Sequence, residues 1–243
     1  MILYISIFTI LFAGFTQGLT SFGFALISMP ILVKMMPLTE AVPLVVILSF
    51  FTNTIRLVQT WRHIELKKIS LLIFASLIAA PIGTFLLIYM APNILKLIAG
   101  FIIVSFSLLL ITNHTFPIRN DRVAYFPVGF MSGLLNGSIS MSGPPVALFL
   151  SNQGVSKEVF RANITAFGFI LNIVTIITYF SSGLVSPTLI QHIAWLLPSM
   201  IIGTIIGAKS IQYINNIWFK KITLVLILSS GVLTTYGSLK ALI

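Results

Sequence analysis

Apolar residues run along this chain in eight blocks, at 3–36, 40–60, 69–90, 94–113, 123–151, 158–181, 188–212 and 218–239, joined by short polar segments. Six have about the 20 residues that a helix needs to cross a bilayer core. The first and fifth are longer and differently made. Each carries a pair of glycines with three residues between them, then a polar centre containing glycine, then a proline. One helix over residues 3–36 would be about 50 Å long at roughly 1.5 Å per residue, too long for a single crossing. Each long block is therefore expected to form two half-helices meeting at a break, as a re-entrant hairpin that enters and leaves on one side.

The pattern occurs twice. Gly14-Phe-Thr-Gln-Gly18-Leu returns as Gly129-Phe-Met-Ser-Gly133-Leu, an offset of 115 at which Pro30 falls on Pro145. With small gaps Asn53 falls on Asn172, Gly83-Thr84 on Gly203-Thr204 and Lys96 on Lys220. Two repeats are expected, residues 1–115 and 122–243, forming one integral membrane domain. Duplicated apolar bundles are a common build of secondary transporters, with the substrate between the copies.

Composition confirms the solvent. The chain is 58% hydrophobic and 7% charged, and four acids with fourteen bases cannot cover a water-exposed surface. Its net charge of +10 is scattered through the joints rather than gathered in a stripe, which argues against nucleic acid as a partner. There is no cysteine, so neither disulfides nor thiolate chemistry is available. The start, MILYISIFTILF, lacks the basic region of a cleaved leader and is read as part of the fold.

Charge also tests the hairpin. If all eight blocks cross simply, the fourteen bases divide seven and seven, and no orientation is signalled. If the fifth block is re-entrant, eleven bases share one side and only Lys34, Lys96 and Lys240 lie on the other, a clear cytoplasmic bias. Repetition extends the hairpin to the first block. Three crossings plus one hairpin is an odd number, so the expected fold is an all-α polytopic membrane protein of two inverted repeats. The segments 62–68, 114–122, 152–157 and 213–217 then face the cytoplasm, both termini lie outside, and Trp61 and Trp218 sit at the inner interface. Thr39 and Ser156 are read as helix starts, with Glu40 and Glu158 in the first turns.

Candidate chemistry collects at the breaks: Thr16, Gln17, Gly18, Thr20, Ser21 and Gly23 in the first, and Asn136, Gly137, Ser138, Ser140, Ser142 and Gly143 in the second, beside Ser132 and Pro144. Half-helix N-termini would bring free N–H groups and positive partial charge to one place, suited to an oxyanion. Alternatively the glycines are packing faces and the serines bond locally. Asn53 and Asn172, inside the second crossing of each half, would contact substrate or tie helices together. Asn163 and Thr165 would serve gating or packing. Arg56, three residues after Asn53, either faces the cavity as a counter-charge or snorkels to the headgroups, the reading favoured; Arg161 has the same two choices.

Glu40, Glu65, Asp121 and Glu158 all fall at span ends or in joints, so a proton relay on buried acids is not expected. His63, His114 and His192 are too scattered for a metal site, and no nucleotide or nucleophile-elbow motif occurs. No metal, cofactor or enzymatic activity is expected.

The two breaks, Gly14-Phe-Thr-Gln-Gly18-Leu-Thr-Ser-Phe-Gly23…Pro30 and Gly129-Phe-Met-Ser-Gly133…Ser142-Gly143-Pro144-Pro145, resemble the TauE/SafE family of sulfite and organosulfonate exporters. Gly203-Thr204-Ile-Ile-Gly207-Ala is similar to a recurring element of that family. The resemblance implies a bacterial inner-membrane permease for small sulfur-containing or carboxylate anions, often moved outward. The expected function is thus a secondary transporter that binds sulfite or an organosulfonate between the breaks and alternates access. An anion channel-like pore and a non-transporting scaffold subunit are the alternatives. Beyond the small anion and the lipid bilayer, a homo-oligomer is left open.

Absence of native cysteine makes orientation directly measurable. Gly154→Cys and Glu65→Cys should both label from the cytoplasm only; labelling from opposite sides removes the re-entrant fifth block.

Overall fold

The computed structural model describes residues 2–91, 93–95, 97, 100–101, 104, 121–215, 217–219, 221–222, 225, 228–229, 232 and 236. Eight helices are assigned among them: α1 (Ile2–Thr20), α2 (Phe24–Leu32), α3 (Leu38–Thr60), α4 (Leu66–Tyr89), α5 (Asp121–Ile139), α6 (Gly143–Asn152), α7 (Lys157–Ser181) and α8 (Pro187–Ser210). Five segments are long and apolar enough to cross a membrane: Leu3–Thr20, Leu38–His63, Leu66–Tyr89, Lys157–Ser181 and Pro187–Tyr213. The protein is an all-helical polytopic membrane protein. Most of the crossings expected at 94–113 and 218–239, and most of the joint at 114–122, lie outside the described residues.

Both long blocks are broken. α1 stops at Thr20 and α2 starts at Phe24; α5 stops at Ile139 and α6 starts at Gly143. Each stop is a left-handed residue, Ser21 at φ 73° and Ser140 at φ 63°. Their N–H groups reach back to the carbonyls of Gln17 (2.7 Å) and Asn136 (3.0 Å), and Met141 N–H to Leu135 (3.1 Å). This is a helix C-terminal turn whose usual occupant is glycine. A serine there costs roughly 1–2 kcal/mol, and such strain is a pointer to function. Gly23, which looked like the centre of the first break, has φ −80°; its role is steric, because a side chain there would strike Thr16.

The breaks show that the two halves are related by 119 residues, not 115. Ser21 and Ser140 are equivalent by conformation, and α2/α6 and α3/α7 start 119 residues apart. Gly14 and Gly18 correspond to Gly133 and Gly137. Gly18 packs on the Thr204 backbone and Gly137 on the Ala80 backbone, while Gly207 packs on Phe15 and Gly83 on Leu134. Gly83 therefore answers to Gly207 rather than to Gly203. Both alignments read from sequence were off by one helical turn, because small residues recur every fourth position and either register matches.

Packing crosses between the halves. α1 lies on α8 and α5 on α4, and α3 and α7 meet at the centre. Phe50 and Phe169, again 119 apart, stack with ring centroids 5.2 Å apart and planes 20° apart. Asn53 lies against Gly168, Arg56 near Arg161, and the N–H of Glu65 on the side-chain oxygen of Asn163 (2.9 Å). From Phe50–Phe169 through Asn53–Gly168 to Arg56–Arg161, contacts climb α3 while they descend α7, so these two helices run antiparallel. The outer surface is as apolar as the inner one: Phe8 is 76% exposed and Trp195 70%. Lipid, not water, suits such a surface.

Ser156 caps α7, its Oγ accepting from Val159 N–H at 3.3 Å. Thr39 caps nothing; Pro37 holds the N-cap position of α3 and Thr39 lies inside the helix, where proline's fixed φ already directs the chain.

Close backbone packing at the glycines sets a stability prediction. Gly137→Val, which drives a side chain into the Ala80 carbonyl, should cost roughly 1–3 kcal/mol and lower the melting temperature of the purified protein. Gly183→Asn, at φ 71° with nothing within 4 Å, should leave it nearly unchanged.

Candidate functional site

The two breaks meet α3 and α7 around a cavity at the centre of the bundle. Gln17, Ser21, Asn53, Asn136, Ser140, Ser142, Gly143 and Asn172 line it, with Ser49 and Gly168 and an apolar wall that includes Phe22, Met141, Ile164 and Phe167. Its volume is about 30 Å³. That is room for one or two waters or the charged group of a small solute.

Hydrogen bonds orient the amides without ambiguity. Gln17 Oε1 accepts from the Phe24 N–H at 3.0 Å, the first turn of α2. Its Nε2 must therefore face the other way, and it donates to the Ser21 carbonyl (3.1 Å) and to Asn53 Oδ1 (2.8 Å). Asn53 thus spends its oxygen on Gln17 and turns its NH2 away. The second half repeats this with different residues. Thr175 gives its hydroxyl proton to the Leu171 carbonyl (2.9 Å), so its oxygen accepts from Asn136 Nδ2 (2.9 Å). Asn136 Nδ2 also donates to Asn172 Oδ1 at 3.1 Å, which leaves the Asn172 NH2 turned away. Two carboxamide NH2 groups, one per half, belong to residues on the cavity wall. Ser21 adds a buried hydroxyl with no partner among the described residues. A wall of uncharged donors is suited to a negatively charged guest.

The helix N-termini contribute less than the sequence suggested. Gln17 occupies the Phe24 N–H, and Pro144 and Pro145, in the first turn of α6, have no N–H to offer.

The remaining candidates are buried but turned elsewhere. Thr16 donates to the Phe12 carbonyl (2.9 Å), Thr20 to Thr16 (2.8 Å) and Ser138 to Leu134 (2.7 Å), each within its own helix. Gly18 and Gly137 are helix contacts and Gly23 is a turn contact, so the packing reading describes these six residues. Ser132 is fully buried, away from the cavity wall. Asn163 ties α7 to the joint before α4 through Glu65 N–H. Ser49 and Gly168 line the cavity and were not singled out; an equivalence of 119 residues pairs them and was the signal available.

Arg56 does not snorkel. It is only 2% exposed, its Nη1 donates to Gln59 Oε1 (2.6 Å), and it is not on the cavity wall. Arg161 is 8% exposed and its Nη2 donates to the Gly18 carbonyl at 3.1 Å. At the other break the Tyr179 hydroxyl lies 3.2 Å from the Asn136 carbonyl and 2.9 Å from that of Gly137. Among the described residues, no group of three or more His, Cys, Asp or Glu could hold a metal ion.

A sequence model of the family described as "Sulfite exporter TauE/SafE" matches residues 6–234. The chain therefore belongs to the TauE/SafE family, a family of transporters. Neither a curated protein nor a solved structure matches the chain significantly.

Gln17 is the residue on which the first break turns. Gln17→Leu strands the Phe24 N–H and the Asn53 oxygen and should cost roughly 1–3 kcal/mol for each buried group left unpaired. Thermal unfolding of the purified protein should show a clear drop, with little change for Ser138→Ala, whose bond stays within one helix.

Proposed function

We propose that this TauE/SafE protein is a secondary transporter that exports a small anion, sulfite or an organosulfonate, bound between the two breaks. The observation that carries this reading is the orientation of Asn53 and Asn172. Each gives its oxygen to the break residue of its own half, which leaves its NH2 turned away from that residue, and both side chains line the cavity. Ser21, Ser140 and Ser142 add hydroxyls on the same wall. Neutral donors can hold an oxyanion without the permanent ion pair that would slow its release.

Alternating access follows from the repeat. The antiparallel course of α3 and α7, equivalent helices facing each other, supports an inverted pair related by an axis in the membrane plane. The charge distribution supports a cytoplasmic location for 62–68, 114–122, 152–157 and 213–217, with both termini outside, in a bacterial inner membrane. One half would rock against the other about the Phe50–Phe169 contact, exposing the cavity to each side in turn. No catalysis is assigned to the protein.

Titration of the purified protein with sulfite tests the site. Asn53→Leu and Asn172→Leu should each weaken binding roughly tenfold or more, as expected for a lost hydrogen bond to a charged group. Unchanged binding in both variants would remove the site. Flux into vesicles should saturate with concentration; a linear dependence would point to a pore, and no flux with no binding to a scaffold.

A further inference from the structure

We infer that Arg56 and Arg161 form a second anion site, one step along the path from the central cavity and on its cytoplasmic side. The inference rests on the proposed transport of an anion through the breaks, but its residues are distinct from those of the cavity wall.

The pair has more donors than partners. Arg56 is 2% exposed, and its Nε and Nη2 have no acceptor among the described residues; Arg161 is 8% exposed, and its Nε has none among them. Both stand at the first break: Arg161 bonds the Gly18 carbonyl, and Arg56 lies one turn past Asn53, which bonds Gln17. Among the described residues neither arginine has a carboxylate within ion-pair distance, although Glu158, one turn before Arg161 on α7, lies in electrostatic range of it. Arginine stays charged even when buried, and two such charges with no carboxylate bonded to either are costly to keep. A bound anion with several oxygens would satisfy both the charge and the idle N–H groups, which form a fork suited to oxyanions.

Helix capping does not account for the charges. Arg161 caps the Gly18 carbonyl, yet at the equivalent Gly137 the neutral Tyr179 does the same work. Arg56 stands where Thr175 stands in the other half, and Thr175 holds the break through a hydroxyl alone. Packing and capping are thus met without cations in the second half. Around the first break, by contrast, cations from both halves stand in place of neutral groups, on the side where α3 ends and α7 begins, the side assigned to the cytoplasm. Arg56 lies three residues after Asn53, and Arg161 bonds Gly18, the residue after Gln17, so an anion held by the pair lies next to two residues of the cavity wall and can be handed to it.

Crystals of the full-length protein grown in bromide locate the site directly by anomalous scattering. A peak between the two guanidinium groups is expected in the wild type, lost in Arg56→Gln and kept in Arg56→Lys. Sulfite binding should weaken roughly tenfold or more in Arg56→Gln, as when one charge-assisted contact is lost. No wild-type peak at the pair, or a peak that survives Arg56→Gln, overturns the inference; if that variant does not fold, the wild-type map decides alone. A peak at the arginines with none in the central cavity, and sulfite binding indifferent to Asn172→Leu, would instead sink the central site and leave this one standing.

Discussion

A helix that stops in apolar surroundings must find partners for the backbone groups it leaves open, because lipid offers none. The architecture of this protein is organised around two such stops. At the first, a single carboxamide, Gln17, takes up the N–H of the next helix, the carbonyl of the turn and the oxygen of Asn53. Asn136 performs the corresponding task with Asn172 and Thr175. Satisfying the backbone also aims the donors. Once the oxygens of Asn53 and Asn172 are committed to the breaks, only their NH2 groups are left over, and both residues line the cavity.

That logic explains which parts were legible in the sequence. The two broken blocks and the five apolar spans were visible because lipid imposes length and composition on every span. The register was not. Gly14, Gly18, Gly129, Gly133, Gly137, Gly203 and Gly207 recur with a period of four, so a match displaced by one turn looks as good as the true one. Only conformation, the left-handed serines, and contact, the pairing of Gly83 and Gly207 with Leu134 and Phe15, fix it.

The candidate residues divide along a similar line. Asn53 and Asn172 were recognisable because an amide deep in a span needs a reason. Thr16, Thr20 and Ser138 carried equally polar labels but return their hydroxyls to their own helices, an option that a helix always offers and a sequence does not advertise. Arg56 was misread for the opposite reason. Its distance from the end of α3 allowed a reach to the headgroups, whereas the fold holds it against Gln59 and within range of Arg161.

The two halves share a backbone plan and differ in the groups that close it: Arg161 beside one break, Tyr179 beside the other. A solute crossing such a molecule meets an uneven landscape, steeper on one flank than the other. Unevenness of that kind governs how fast each direction saturates. It does not move the final concentration ratio, which a passive carrier must leave to the gradient and the voltage across the membrane.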